Sequence, residues 1–124
     1  MAEPLKNESL RQKQSRFARD MALLVLYIEA RGYSCTFGEC YRPPREAAAN
    51  AATGAGIANS LHTQRLAVDL NLFSPEGKFL EDSLEHLPFG EFWESIGADH
   101  AWGGRFKVKD GNHYSLTPDG GRTR

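Results

Sequence analysis

The sequence has no apolar run long enough to cross a membrane, and it has only two cysteines. Its longest apolar run, Met21 to Ile28, covers eight residues, far short of the roughly 20 that a transmembrane helix needs, and we expect a buried helix there. Cys35 and Cys40 are too few for a disulfide scaffold, so we expect free thiols. The formal net charge of −1 excludes a global attraction to nucleic acid or anionic lipid.

The overall composition is that of one globular domain. The chain has 124 residues, of which 40% are hydrophobic and 25% charged, and this length is enough to bury a core without disulfide or metal staples. We expect a single domain over residues 1–124, with a core of about 14–116 and a disordered, Pro/Gly-rich tail at 117–124. There is no internal repeat and no linker.

Hydrophobic periodicity predicts helices first and a small antiparallel sheet after them. Over about 14–30, apolar residues form one helical stripe at Phe17, Met21, Leu24 and Ile28. The segment 66–73 alternates between apolar and polar residues, which is typical of a half-buried strand. Shorter segments are predicted as strands at 33–41, 78–80, 105–108 and 113–116, as helices at 45–52 and 87–96, and as a loop at 53–59. The pattern favours an α+β fold with helices packed on the sheet.

Three dispersed residues have the atom types of a catalytic zinc site: His62 and Asp69 in SLHTQRLAVDL, and His113 in DGNHYSL. Two imidazoles and one carboxylate leave the fourth tetrahedral position open for water. Asp69 lies inside an apolar strand and needs a partner, because burying an unpaired carboxylate is costly. A spacing of seven puts two side chains on opposite faces of a straight strand, so we expect His62 to precede the strand and point back. His86 and His100 are interpreted as structural.

In this order, the motifs resemble those of zinc peptidases that cut bacterial cell-wall peptides. This group includes D-alanyl-D-alanine carboxypeptidases and dipeptidases, and phage L-alanyl-D-glutamate endolysins. The family pattern is Ser-x-His, six residues, Asp, and later an acid-x-x-His. It is matched here by SLH at 60–62, by AVDLNLF at 67–73 and by WGGRFKVKDGNHY at 102–114. The resemblance covers roughly residues 33–116 and implies the Hedgehog/D-Ala-D-Ala-peptidase type of α+β fold.

The resemblance also implies a role for each matching residue. The implied zinc ligands are His62, Asp69 and His113. Asp110 would be the general base that takes a proton from the attacking water. Arg42, in CYRPP, would polarise the scissile carbonyl and steady the oxyanion. Ser60 would support the metal ligands or touch the substrate, and Trp102 would help to line the cleft.

Arg65 departs from the family pattern, since many members have glycine at this position. Glycine adopts unusual backbone angles freely, whereas arginine does so only at a cost. We therefore expect the loop between His62 and Asp69 to be built differently, or Arg65 to face the cleft and favour an acidic peptide stem. The catalytic acid is also Asp110 rather than a glutamate, so backbone placement must offset its shorter reach.

The function that the resemblance implies is zinc-dependent cleavage of peptidoglycan stem peptides. The short chain and the Trp-Gly-Gly sequence favour a phage endolysin that cuts between L-Ala and D-Glu. Two alternatives stay open: a D-alanyl-D-alanine carboxypeptidase, which needs a cationic anchor for the free carboxylate, and a non-catalytic zinc module such as the Hedgehog signalling domain. The presence of Asp110 and Arg42 argues against the non-catalytic module.

We expect the peptidoglycan peptide stem to be the partner, with no nucleic acid involved, and we expect the protein to be a monomer. No signal peptide is visible, because the apolar run follows about twenty polar residues and Asp20 directly precedes it. A phage lysin of this kind would be made in the host cytoplasm and would act on the cell wall after a holin opens the membrane.

Overall fold

In the computed structural model, the described residues, 8–43 and 61–117, form two α-helices and a five-stranded antiparallel sheet. The helices are α1 (Leu10–Ala30) and α2 (Leu87–Ile96). The strands are β1 (Ser34–Phe37), β2 (Ala67–Phe73), β3 (Phe79–Leu80), β4 (His100–Trp102) and β5 (His113–Leu116). The strand order is β1-β2-β5-β4, and β3 also pairs with β2. This architecture confirms the α+β prediction.

Helix α1 begins four residues earlier than its apolar stripe indicated. The hydroxyl of Ser9 accepts a hydrogen bond from the amide of Gln12 at 3.0 Å, and the side chain of Gln12 accepts one from the amide of Ser9 at 2.8 Å. This capping box satisfies amides that the first helical turn would otherwise leave unpaired. The helix buries all four residues of the predicted stripe: Phe17, Met21, Leu24 and Ile28. No helix in the described residues is long and apolar enough to span a membrane.

The hydrophobic core lies between the two helices and the inward faces of β2 and β5. Trp93 of α2 is fully buried and meets Phe17 of α1 edge to face, with ring centroids 5.7 Å apart. Alternation along the strands sends four large side chains to the same core: Leu70, Leu72, Tyr114 and Leu116. Because these side chains point inward, their neighbours Asp69, Asn71 and His113 point to the opposite face of the sheet.

The predicted strand at 105–108 is wrong. Gly103–Arg105 forms a 3₁₀ turn instead, and the strand that pairs with β5 is His100–Trp102, through the partners Ala101 and Ser115. All three residues of β4 are buried, whereas Val108 is 83% exposed. Packing against neighbouring strands decides which segment joins a sheet, and β4 rather than 105–108 has that packing beside β5.

The remaining predicted elements are confirmed in part. The strand predicted at 33–41 is shorter, Ser34–Phe37, and α2 has the predicted bounds. Cys35 and Cys40 are free thiols. The predicted helix at 45–52 and the predicted loop at 53–59 lie outside the described residues. Thr117 is buried, and its amide donates to the carbonyl of Asp99 at 2.7 Å. The rest of the predicted tail, 118–124, also lies outside the described residues.

Candidate metal centre and active site

The two ends of the ligand motif meet because β2 and β5 are neighbours. Asp69 and His113 are directly opposite each other in the antiparallel ladder, so their side chains share a face. His62 precedes β2 in a 3₁₀ turn, Leu61–Gln64, and points back to the strand as expected. Oδ1 of Asp69 lies 3.4 Å from Nε2 of His62 and 3.4 Å from Nδ1 of His113. Three residues spread over the chain therefore converge on one point.

The spacing of these donor atoms fits a zinc ion. One ligand atom from each residue lies within 4.8 Å of the others, and zinc–nitrogen and zinc–oxygen bonds of about 2.0–2.2 Å place tetrahedral donors about 3.3–3.6 Å apart. Oδ1 of Asp69 is buried and accepts no well-formed hydrogen bond from the described residues, although buried polar atoms normally have a partner. A cation bound between the rings would satisfy this oxygen.

The second ring nitrogen of His62 is also oriented as a metal ligand requires. Nδ1 lies 3.5 Å from the carbonyl oxygen of Cys40 and 3.9 Å from Oε1 of Glu39. A backbone carbonyl such as that of Cys40 is a usual partner of a metal-binding histidine, because it fixes the tautomer and leaves the other nitrogen to the metal. The contact therefore directs Nε2 of His62 to the metal centre.

Electrostatics tie the three side chains together in the metal-free protein. Burial would raise the pKa of Asp69, but the contacts with His113 and His62 lower it to about 2. Burial would likewise lower the pKa of His62, but Asp69 and then Glu39 raise it above its usual value. The carboxylate is thus ionised at neutral pH, which is the form that binds a cation.

Arg65 adopts a left-handed backbone conformation, with φ of +57°. The expectation that this loop avoids the conformation that glycine favours is therefore wrong. The guanidinium carbon of Arg65 lies 3.9 Å from the centroid of the Tyr41 ring. This cation–π contact offsets part of the strain, so the turn between His62 and Asp69 forms without a glycine.

Asp110 is fixed next to His113 by the Trp-Gly-Gly segment. Its amide donates to the carbonyl of Gly103 at 2.9 Å, and its own carbonyl accepts from the amide of His113 at 3.0 Å. A Cβ atom at Gly103 would lie only 2.0 Å from the Asp110 carbonyl oxygen, so only glycine fits there. Burial raises the pKa of Asp110, the histidines of the centre counteract this, and the charge of Asp69 raises it further. A carboxyl with a raised pKa is suited to proton transfer.

Trp102 contacts the turn that carries Asp110. The side chain is 3% exposed and packs between two glycines: a Cβ atom would lie 2.1 Å from the ring at Gly90 and 2.3 Å from it at Gly104. Its indole N–H donates to the carbonyl of Gly111 at 2.7 Å. Contact between Trp102 and substrate stays a prediction, whereas its observed contacts hold the turn that carries Asp110.

Arg42 contacts the candidate ligand His62 and also Glu39, which is not among the predicted site residues. Its amide donates to the carbonyl of His62 at 3.1 Å, and its guanidinium Nη2 donates to Oε1 of Glu39. The signal for Glu39 was present in GECYR, where an acid precedes the arginine by three residues. Ser60 lies outside the described residues.

The other two histidines have structural partners. Nδ1 of His86 lies 2.9 Å from the hydroxyl of Tyr114, and Nε2 of His100 lies 2.8 Å from Oδ2 of Asp20, all of them buried. Asp20 was also missed, and its signal is a carboxylate inside the inward stripe of α1 at Phe17 and Met21. Neither pair belongs to the candidate metal centre.

A polar cavity of about 290 Å³ adjoins Asp110. Its walls come from β2, from the turn that precedes α2 and from the segment that leads into β5. The polar side chains among the lining residues are those of Asn71, Glu81, Ser83, His86, Lys109, Asp110 and Asn112. Asp110 therefore borders a space large enough for part of a peptide, although none of the three candidate ligands is among the residues that line it.

The fold and this centre define the chain's class as a small α+β domain with a candidate metal site. A family model described as D-alanyl-D-alanine carboxypeptidase matches residues 53–116, just over half of the 124 residues. The chain belongs to this family of cell-wall peptidases. The match includes the three candidate ligands and Asp110.

A solved structure supports the fold. The chain is similar to the crystal structure of the L-Ala D-Glu endopeptidase ChiX from Serratia marcescens, with a TM-score of 0.67 and 21% identity over 94% of this chain and 90% of that one. No curated protein sequence matches the chain. At this identity, the likeness establishes the fold rather than the substrate.

Proposed function

We propose that the protein is a zinc-dependent peptidase that cleaves peptidoglycan stem peptides. The observation that carries the proposal is the convergence of two imidazole nitrogens on Oδ1 of Asp69, each at 3.4 Å. His62, Asp69 and His113 would hold the ion and leave one tetrahedral position for solvent or substrate. Membership of a cell-wall peptidase family supports the same activity.

The residues around the centre divide the work of peptide hydrolysis. A bound zinc ion supplies Lewis acidity, which activates water and polarises a carbonyl oxygen. Asp110 accepts the proton of the attacking water and later delivers it to the leaving amine, for which its raised pKa is suited. Arg42 donates hydrogen bonds to the oxygen on which negative charge develops, and losing one such donor typically costs about 10²–10³ in rate.

We propose that the bond cut is the one between L-Ala and D-Glu, as in a phage endolysin. The similar solved structure is that of an L-Ala D-Glu endopeptidase, which favours this bond. The family description favours a second candidate, removal of a terminal D-Ala by a carboxypeptidase. Mass spectrometry of purified cell wall digested by the zinc-loaded protein separates the two, because only the endopeptidase releases a stem that begins at D-Glu.

The roles of Asp110 and His113 are tested together. We expect Asp110→Ala to bind zinc stoichiometrically but to lose about 10²–10⁴ in turnover, since a positioned acid–base group contributes that much. We expect His113→Ala to lose both bound zinc, by elemental analysis, and activity. An active Asp110→Ala variant would place the base elsewhere, and stoichiometric zinc in His113→Ala would remove His113 from the ligand set.

The cellular setting follows from the endolysin assignment. We propose that residues 1–124 act as one monomeric domain that is made in the host cytoplasm and acts on the wall. Size-exclusion chromatography with light scattering tests the monomer. Lysis of cells only when a holin is co-expressed tests the route to the wall.

A further inference from the structure

Glu39 connects the candidate oxyanion donor to a candidate metal ligand. Its Oε1 accepts a hydrogen bond from Nη2 of Arg42 and lies 3.9 Å from Nδ1 of His62. The carboxylate therefore faces the side of His62 that points away from Asp69, because Nε2 is the nitrogen near Asp69. Glu39 lies outside the set of donors that could share one ion, which among the described residues is His62, Asp69 and His113.

A bulge at the end of β1 sets the position of Glu39. The amide of Gly38 donates to the carbonyl of Asp69 at 2.7 Å, and the amide of Asp69 donates to the carbonyl of Glu39 at 2.9 Å. Gly38 and Glu39 thus both face Asp69 of the neighbouring strand, and a bulge of this kind changes the direction of the side chains on the bulged strand. The backbone of Glu39 is therefore hydrogen-bonded directly to Asp69, whose carboxylate lies between the two candidate histidine ligands.

A second backbone hydrogen bond connects Arg42 to the turn that carries His62. The amide of Arg42 donates to the carbonyl of His62 at 3.1 Å, so the Glu39–Arg42 segment is bonded to both the His62 turn and β2. The side chains of Glu39, Arg42 and His62 are 30%, 16% and 5% exposed. In such a partly buried setting, a charged hydrogen bond is stronger than at an open surface.

We propose that Glu39 is a positioning residue that holds the guanidinium of Arg42 beside the candidate ligand His62. An arginine side chain loses rotamer entropy when it is held in one geometry, and a guanidinium that is already in place when the substrate binds avoids that cost in the transition state. The inference rests on the proposed peptidase function for its catalytic consequence. The pairing itself is a structural claim that is tested separately.

A double-mutant cycle tests the catalytic consequence. We expect Glu39→Ala to lower kcat about 10- to 100-fold with little change in KM, and Arg42→Ala to lower it about 10²–10³-fold. Because Glu39 acts through Arg42, the double variant should be no slower than Arg42→Ala alone. Glu39→Gln keeps an acceptor oxygen and should recover most of the loss, and Glu76→Gln, at an exposed turn, is the matched control. Losses that multiply in the double variant would overturn the proposal.

NMR of the Arg42 side chain tests the pairing without reference to activity. In the wild type and in Glu76→Gln, we expect a resolved Nη2–H signal with slow solvent exchange, because this group donates to Glu39, and in Glu39→Ala we expect that signal to broaden or vanish. An unchanged signal in Glu39→Ala would refute the positioning role. If the wild type cuts no wall peptide yet shows the Glu39-dependent signal, the peptidase proposal fails while the pairing stands. Zinc content should be the same in all variants, and loss of zinc in Glu39→Ala would overturn the proposal by making Glu39 a support of the metal site.

Discussion

Replacement of Arg65 by glycine and by alanine should give the reverse of the usual order of stability. At most positions with a negative φ, alanine is more stable than glycine, because glycine loses more backbone entropy on folding, by about 0.5–1 kcal/mol. Arg65 has φ of +57°, in the region that L-residues adopt at a cost of roughly 1–2 kcal/mol. Glycine removes that cost, whereas alanine keeps it.

The magnitude follows from these terms. Relief of about 1–2 kcal/mol, less about 0.5–1 kcal/mol of entropy, leaves Arg65→Gly more stable than Arg65→Ala by about 0.5–1 kcal/mol. Both variants lose the contact with Tyr41, whose ring centroid is 3.9 Å from the guanidinium carbon and which is 41% exposed, a contact of about 0.5–1 kcal/mol. Arg65→Gly should therefore be close to the wild type in stability, and Arg65→Ala should be the least stable of the three.

Urea unfolding of the metal-free protein measures these differences without a contribution from ligand binding. Gln64, an exposed neighbour with a negative φ, provides the matched control, and there we expect Gln64→Ala to be more stable than Gln64→Gly. In a Tyr41→Leu background, the part of the Arg65→Ala effect that comes from the ring should disappear. If Arg65→Ala is more stable than Arg65→Gly, the left-handed conformation of Arg65 is incorrect.

Two further predictions concern buried groups away from the metal centre. Burial lowers the pKa of His86 from 6.5 to about 4. Between pH 6.5 and 4, His86 is therefore protonated in the unfolded chain but neutral in the folded protein. Stability should fall by up to about 3 kcal/mol as the pH drops from 6.5 to 4, and the pH dependence of urea unfolding should weaken in His86→Gln. Gly90→Ala should cost about 1–3 kcal/mol, since its Cβ would lie 2.1 Å from the Trp102 ring, whereas exposed Glu91→Ala should change the unfolding midpoint little.

The sequence was informative where a residue's neighbours in the chain decide its environment. The stripe of α1 and the alternation of β2 depend on local periodicity, and both are found as predicted. The segment 105–108 was assigned wrongly because strand formation depends on which segment finds a partner with an apolar face, and β4 provides it. Sequence periodicity contains no information about that competition.

The candidate ligands could be predicted from the sequence, but the residues that hold them in place could not. His62, Asp69 and His113 were found from their atom types and from family resemblance, and Asp110 from its spacing to His113. Glu39 was missed because its role depends on a bulge that pairs Gly38 and Glu39 with Asp69, and no sequence pattern places one strand opposite another. Arg65 was misjudged because a left-handed arginine becomes acceptable only once Tyr41 packs on it.

The position of β2 in the sheet explains why one carboxylate can organise the whole centre. Asp69 points outward from a strand with a neighbour on each side, so β5 supplies His113 directly opposite it, and the end of β1 supplies Glu39 and with it Arg42. On an edge strand, an outward acid would have only one such neighbour. Burying the Asp69 carboxylate is unfavourable, and the nearby rings of His62 and His113, which backbone hydrogen bonds hold in place, offset that cost. The same ladder that folds the sheet therefore fixes the distances between the candidate ligands and the candidate oxyanion donor, and a substitution that shifts the β1–β2 register should disturb both together.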